Sequence, residues 1–411
     1  MSVLDPPPTP PAPGAAQVPA ERAYTGTAPS RRFRRGRLRE LSVGQVVVAE
    51  VALGGLLASF LAQSPFVLGG TAAVAAAVLV LAFGRTDGRW LYRTLVLRRA
   101  LAGRRRSAVA GTAAGDPRRA VLATIGPGFG VRTVEDRGQR VGVGADAGGW
   151  FVVLEVGAVD GVGVAAAAPV PLAALAGALQ DDSAGVSALQ LVTHTVPVTG
   201  AGLDPRVPCM ASNRQLPGDG LGTFPAHRHT WLALRLDTGD AAAAALARGG
   251  GLDGVDRTLV ASAGRTGTVL AGAGLHHRVL DSAALLDALD SSCGLGLHPG
   301  VPVDERWDAV SLAGVLHRTW AVSTWGHTGL LPQLCRAVAA ETSVALVLGA
   351  PAEGQVTLRA MVRVMAPEAE MGAAAAALEQ GAAMVGARLQ RLDGEQAAGM
   401  YATAPTGGGP L

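Results

Sequence analysis

The chain has 411 residues, of which 49% are hydrophobic and 16% charged, with a formal net charge of +3. It contains no lysine, so all 35 basic residues are arginine. That excludes a Walker A loop as well as Schiff-base and pyridoxal-phosphate chemistry, each of which needs a lysine. The arginine excess lies before residue 107, and the nearly balanced remainder argues against a nucleic-acid-binding body. Cys209, Cys293 and Cys335 are far apart and fit no zinc or disulfide spacing, as expected in a reducing cytoplasm.

Residues 1–40 form a Pro/Ala/Arg-rich tail with too few bulky apolar groups to fold. Residues 41–84 then read as a transmembrane helical hairpin, with spans at 41–62 and 65–83 joined through Gln63, Ser64 and Pro65. Each run approaches the ~20 residues a helix needs to cross a hydrocarbon core of roughly 30 Å. Arg31, Arg32, Arg34, Arg35, Arg37 and Arg39 precede the hairpin. Arg85, Arg89, Arg93, Arg98, Arg99 and the triplet Arg104, Arg105 and Arg106 follow it. Arginine flanks stay on the cytoplasmic side, which places both termini there and leaves two spans in the cell membrane. A cleaved signal peptide would start near residue 1 and be shorter, and the arginine fences weigh against a buried hairpin of a water-exposed fold. In the first span, Gln45 is expected within reach of lipid headgroups. Glu50 lies deeper, where a carboxylate needs neutralising by a partner's helix or by the second span. Gly54 with Ala58, and Gly69 with Ala73 and Ala77, make small-residue faces that let helices approach.

Residues 85–119 are expected to form a basic juxtamembrane helix and linker. Over 89–99, Trp90, Leu91, Leu95 and Leu97 oppose Arg93, Arg98 and Arg99. This pattern suits a helix lying on anionic lipid or a continuation of the second span, and 111–119 reads as linker. Short strands follow at 121–125, 131–135 and 140–143. The order β-α-β-β-α-β then occurs twice. The first copy has strands at 150–156, 186–194, 230–236 and 275–280, with helices at 171–180 and 256–273. The second has strands at 320–325, 344–348, 355–364 and 388–392, with helices at 330–340 and 370–385. Each copy closes with Gly274 or Gly386 ending a helix and Asp281 or Asp393 capping the next. The fold class expected is α/β and membrane-anchored: a two-helix transmembrane hairpin, then a cytoplasmic α+β domain built from two duplicated βαββαβ, ferredoxin-like units. The first unit spans 120–295, the second 296–403, and 404–411 is a tail.

Little in the chain points to chemistry. Residues 248–254, Arg248 followed by Gly249, Gly250, Gly251, Leu252, Asp253 and Gly254, precede a helix whose amides could cradle an anion. The stretch lacks Walker and GxGxxG spacing, and a cap-and-turn role is favoured. His227 with His229, and His276 with His277, supply too few ligands for zinc. No GxSxG elbow occurs. Asp181 with Asp182, and Asp287 to Asp290, lie at helix ends, where carboxylates are commonplace. No catalytic, cofactor-binding or metal residue is therefore assigned, and no cofactor is expected.

The layout resembles the EccE family, a membrane component of the actinobacterial type VII (ESX) secretion system. The similarity is carried over 149–286 by Gly149 and Trp150, by 171–175, by 189–193 and by 230–236. It continues through 248–259, including Asp256, Arg257, Thr258 and Leu259, then 270–275, Leu280, Asp281, Leu285 and Leu286. What the resemblance implies is a non-catalytic structural subunit of the inner-membrane translocon. Its expected partners are other secretion membrane components, including an FtsK/SpoIIIE-type ATPase, together with membrane lipid and no nucleic acid, in a hetero-oligomeric complex. A membrane-bound transferase-like enzyme and an anion-binding membrane sensor are the alternatives. The enzyme would need clustered carboxylates for a divalent ion, and no DxD pattern is present.

Overall fold

The computed structural model describes residues 43–61, 64–86, 89–108, 117–157, 170–180, 185–197, 226–295, 301–327, 329–335, 341–352 and 355–409. The tail at 1–40 with its arginines, Cys209, Asp181, Asp182 and the 199–225 loop lie outside these residues. Two apolar helices, α1 (Val43–Leu61) and α2 (Pro65–Phe83), come first. On α1 the less exposed residues are Gln45, Val48, Ala49, Ala52, Gly55, Leu56 and Ser59, a three-to-four spacing that presents one face to α2. On α2 the inward positions include Leu68, Thr71, Ala75 and Ala82. Gly55 faces Thr71, and an added Cβ there would lie 3.8 Å from Thr71 Cγ2, in ordinary van der Waals contact. Gln45 does not reach for headgroups: its Nε2 donates to the Ala82 carbonyl at 2.7 Å and joins the start of α1 to the end of α2. Gly54, Ala58, Gly69, Ala73 and Ala77 are exposed, so the small-residue faces point outward and do not build the seam.

Among the described residues, α2 is the one helix both long and apolar enough to cross a membrane. The apolar part of α1, Gln45–Leu61, is shorter. After α2 the chain turns through a two-stranded ribbon, β1 (Arg85–Thr86) and β2 (Arg89–Trp90), with the Arg85 guanidinium 4.0 Å from the Trp90 ring centre. Helix α3 (Leu91–Ala108) follows, so the basic segment is a separate element and not a continuation of the second span. Residues 121–125, expected as a strand, belong to helix α4 (Pro117–Ile125). Proline at the first helical position favours a helix start. Leu122 and Ile125 are the buried positions, a three-residue spacing where a strand would show two.

The rest of the chain forms an α+β body around a single 12-stranded sheet. In chain order its strands and helices are β3 (Gly130–Asp136), β4 (Gln139–Asp146), β5 (Gly149–Gly157), α5 (Leu172–Gln180), β6 (Ala188–Pro197) and β7 (Ala226–Asp237). Next are α6 (Thr238–Leu246), α7 (Gly251–Gly272), β8 (His276–Val279), α8 (Ser282–Cys293), β9 (Asp304–Glu305), β10 (Val310–Leu312) and β11 (Val315–Thr324). The chain closes with α9 (Leu330–Cys335), β12 (Glu341–Ala352), β13 (Gln355–Pro367), α10 (Met371–Met384), β14 (Arg388–Arg391) and α11 (Gln396–Ala402). Helix α6 and strands β9 and β10 have no counterpart in the sequence reading.

The sheet runs β3-β4-β5-β7-β6-β12-β13-β11-β10-β9, with β8 on β5 and β14 on β11, and every pairing is antiparallel. Two four-strand sets, β8-β5-β7-β6 and β14-β11-β13-β12, thus share one order, that of a split βαββαβ fold. Their registers agree in detail. Val153, Ala233 and Gln190 lie side by side in one set, as Thr319, Arg363 and Ser343 do in the other. Leu280 N donates to the Val153 carbonyl at 2.9 Å, and Leu392 N to the Thr319 carbonyl at 3.0 Å. The sets join where β6 pairs β12, from Thr195↔Thr342 to Ala188↔Gly349, and the pair Val192↔Ala345 sits at the centre of an approximate two-fold relation.

Side chains alternate across the sheet, so each strand feeds two layers. Val152, Leu154, Leu232 and Leu234 pack against α5, α6 and α7, while Trp320, Val322, Val344 and Val362 pack against α9 and α10. On the opposite face, Phe151, Val153, Val192, Trp231 and Ala345 meet α4, α8 and α11. Residues 404–409, expected as the beginning of a tail, are buried there. Asp281 caps α8 by accepting from Ala283 N and Ala284 N at 3.0 and 2.9 Å. Asp393 does not cap α11: it accepts from Arg391 Nη2 at 2.9 Å, and Glu395 holds the cap position. Trp320 is buried and its Nε1 donates to Glu379 Oε1 at 3.0 Å. Trp320→Ala is therefore expected to destabilise the body by about 3–5 kcal/mol. Thermal unfolding of the full chain in detergent checks this, and a shift within error would contradict the packing described.

Candidate functional site

The glycine stretch at 248–254 is a helix-to-helix turn. Gly249, Gly250 and Gly251 have φ of +100°, +78° and +62°, values that suit glycine alone. Arg248 N and Gly250 N both donate to the Ala245 carbonyl at 2.8 Å, closing the end of α6. The following helix begins at Gly251, earlier than the sequence pattern suggests, and Gly254 packs on Ala245 too closely for a Cβ. Arg257 Nη1 donates to the Arg248 carbonyl at 2.9 Å, and Arg248 Nη1 to Thr258 Oγ1 at 3.4 Å. The Arg257 guanidinium thus bonds to the turn, and that of Arg248 to the helix after it.

The histidines separate. His276 and His277 lie on β8, where the His277 ring covers Gly267 of α7. His229 stacks on Trp231, with ring centres 5.5 Å apart, and Trp231 stacks in turn on His194 at 6.1 Å. His227 lies on the same strand. Among the described residues no group of three or more His, Cys, Asp and Glu could hold a metal. Asp287 and Asp290 of α8 take part in ion pairs with Arg118 of α4.

The sheet face under α8 and α11 carries a buried polar layer that sequence reasoning missed. Arg363 of β13 is its centre. Its Nε donates to Thr403 Oγ1 at 2.9 Å, its Nη1 to His317 Nδ1 at 3.0 Å and its Nη2 to Ser343 Oγ at 2.9 Å. Nη2 also donates to the Ser292 carbonyl at the end of α8. Burial lowers the Arg363 pKa, though a guanidinium stays charged. Ser343 continues the chain to His194 Nδ1 at 2.8 Å, and His194 Nε2 lies 3.4 Å from Glu341 Oε2. Burial holds the His194 pKa down at about 3 and drives His317 well below its ordinary value. Burial pushes Glu341 up to about 7, against the pull of Arg363. The layer therefore crosses the seam between the two strand sets.

A second cluster fixes the end of the chain. Arg235 of β7 grips Asp146 through Nη1 at 2.8 Å and Nη2 at 2.7 Å, and its Nε donates to Asp237 at 2.7 Å. Tyr401 Oη donates to Asp146 Oδ2 at 2.8 Å, and Arg235 Nη1 to the Thr406 carbonyl at 3.1 Å. Burial alone would raise the Asp146 pKa; the Arg235 guanidinium and the Tyr401 hydroxyl outweigh it, and the net shift is downward. Gln190 accepts from Thr406 N and Gly407 N and donates to the Ala402 carbonyl. Arg235 and Arg363 share one sequence signal: an arginine at inward parity within an otherwise apolar strand.

The third feature joins the hairpin region to the body. Arg104 of α3 bonds both carboxylate oxygens of Glu305, at 2.8 and 2.9 Å, and donates to the Gly394 carbonyl at 2.7 Å. Glu305 is buried and also accepts from Ala397 N at 3.1 Å. Its hydrogen bond is the main cause of a raised Arg104 pKa. Arg105 Nε donates to the Glu305 carbonyl at 2.6 Å, and the Arg98 guanidinium stands 5.4 Å from the Trp307 ring centre. Two of the arginines read as a membrane fence thus serve as a clamp on β9. Beyond this junction, α1 and α2 expose Val51, Leu53, Leu57, Phe60, Phe66 and Val80, each more than 60% accessible. Glu50 is exposed on the same surface of α1 and does not face α2.

The fold and this junction define an α+β protein that carries an apolar helical hairpin on an arginine-clamped connecting helix. The family model described as "Putative type VII ESX secretion system translocon, EccE" matches residues 224–322, from β7 into β11. No curated protein matches the chain.

Two outcomes follow from this geometry. Glu341→Gln tests the polar layer by pH. The folded-state pKa of Glu341 is raised to about 7 from 4.5, so its ionisation costs stability progressively as pH rises between those values. The melting temperature of Glu341→Gln relative to the native chain is expected to climb from pH 4.5 to 7 and then level off; parallel curves would contradict the assignment. His194 acts in the opposite sense, costing stability as pH falls from 6.5 towards about 3. Arg104→Ala is expected to raise trypsin cleavage at Arg98, Arg99 and Arg105 roughly three- to tenfold by freeing α3. An unchanged cleavage rate would show that the clamp does not hold the helix.

Proposed function

We propose that this chain is a non-catalytic structural subunit of the inner-membrane type VII secretion translocon. In this reading the hairpin crosses the membrane twice, both termini are cytoplasmic, and the body presents an assembly surface to other membrane components, including an FtsK/SpoIIIE-type ATPase. The EccE match over 224–322 carries the reading. Physical support comes from the hairpin. Its outward side chains are too large and too apolar to favour water, and burying them in lipid or against other helices recovers about 25 cal/mol for each Å² covered. Lipid is a sufficient solvent for α2, and α1 shares its depth through the Gln45–Ala82 bond. The clamp at Glu305 then hands the position of the hairpin to the body through one short helix. Edges and faces of a large sheet suit association with other proteins without a reaction pocket.

The test is extraction of native membranes in mild detergent followed by identification of co-purifying proteins. The chain is expected to leave the membrane with a secretion ATPase and multi-span membrane subunits. Its recovery without them would count against the translocon role.

A further inference from the structure

Glu50 is the only charged residue in the hairpin between residues 43 and 83. At 1.5 Å per residue it lies about 10 Å along α1 from the helix start, well inside the apolar stretch. The structure excludes its most economical partner. Residues that face α2 recur at Gln45, Val48, Ala49, Ala52, Gly55, Leu56 and Ser59, and Glu50 is on the other side, exposed beside Val47, Val51, Gly54 and Ala58. The hairpin offers no cation of its own; Arg85, which follows α2 at the end that Gln45 joins to the start of α1, lies outside the apolar stretch with its guanidinium over the Trp90 ring. Nothing lies within 4 Å of where a Cβ on Gly54 would be, so one turn from Glu50 the backbone is open to a second helix. An ionisable group in this setting calls for an opposite charge, and the two described helices of the hairpin supply none.

We propose that Glu50 forms an ion pair with an arginine or lysine on a membrane-spanning helix of a partner protein. That helix packs along the side of α1 that carries Val47, Glu50, Gly54 and Ala58. The inference rests on the membrane reading of the hairpin and adds to it the face that is used and the chemistry of the partner. Glu50 selects among apolar helices that would otherwise be interchangeable in lipid, because a helix without a donor at that depth leaves the carboxylate unpaired. The second helix of the hairpin stays free for lipid.

The experiment uses the full-length chain in cells that make the whole complex, comparing the native chain with Glu50→Leu, Glu50→Gln and Glu50→Asp. Carbonate extraction reports membrane insertion, and native gels report the share of the chain in the high-mass assembly. All four forms are expected to resist carbonate. Glu50→Leu and Glu50→Gln are expected to lose about tenfold of the assembled share, and Glu50→Asp to stay within about twofold of native. A photo-crosslinking residue placed at Gly54 is expected to mark a membrane helix of another protein bearing arginine or lysine at matching depth. Exchanging the two charges, with Glu50→Arg opposite a partner carboxylate, is expected to restore assembly. Full assembly of Glu50→Leu or Glu50→Gln, a crosslink to a second copy of this chain, or a crosslink to lipid alone would each overturn the pairing. Release of the native chain by carbonate would instead overturn the membrane reading on which the pairing rests.

Discussion

The surface of the helical hairpin is the constraint on which the rest depends. Among the described residues, eight large apolar side chains of α1 and α2 stand more than 60% accessible. Water is a poor solvent for such a surface, and the helices meet along a narrow seam of small residues that cannot hide it. In the proposed membrane reading, the elements attached to the hairpin accommodate lipid or partner helices in place of water. The connecting helix does so by turning basic immediately after α2. The body closes its own core, with helices packed on both faces of one sheet and residues 404–409 folded in beneath α11.

The body gains its coherence from a seam that joins two similar halves. Pairing of β6 with β12 makes one continuous sheet, and Arg363, Ser343 and His194 cross beneath it in a chain of hydrogen bonds. A buried cation is expensive to hold, and here neutral oxygens and a ring nitrogen satisfy every nitrogen of the guanidinium. Such a layer favours one arrangement of the halves over any that slides, because a register shift would leave those donors without acceptors. The first half places its buried arginine two residues further along the matching strand. Arg235 there ties Asp146, Tyr401 and the end of the chain together, so a segment from the second half locks the first.

Much of this was legible from residues alone. The hairpin followed from two apolar runs with a short connector, and the strands of both halves from alternation with glycine turns. The order of strands in the sheet agrees with the βαββαβ pattern because helix and strand periods are local signals. Other parts were hidden for physical reasons. Residues 117–125 are short enough that Val121, Leu122 and Ile125 suit either period, and proline at the helix start settled it. An alanine run at 241–245 has no apolar stripe, yet alanine forms helix readily, and α6 results. Asp393 carries the same residue type as Asp281 but finds Arg391 first. Arg104 read as membrane fence, and Arg235 and Arg363 fell within expected strands with no role of their own; only long-range contacts reveal a clamp, a latch and a hub. The glycine stretch, read as a cap and turn in preference to an anion cradle, places its Arg248 and Gly250 amides on the end of the helix before it.

One measurement bears most directly on the account: the side of the membrane on which the hairpin turn lies. Ser64→Cys in the full-length chain, treated in intact cells with a membrane-impermeant maleimide, should be labelled from outside. The native chain, whose cysteines are Cys209, Cys293 and Cys335, should not be labelled in intact cells. Labelling of the Ser64 position only after lysis would place the turn inside the cell and contradict the two-span hairpin from which the proposed role is built.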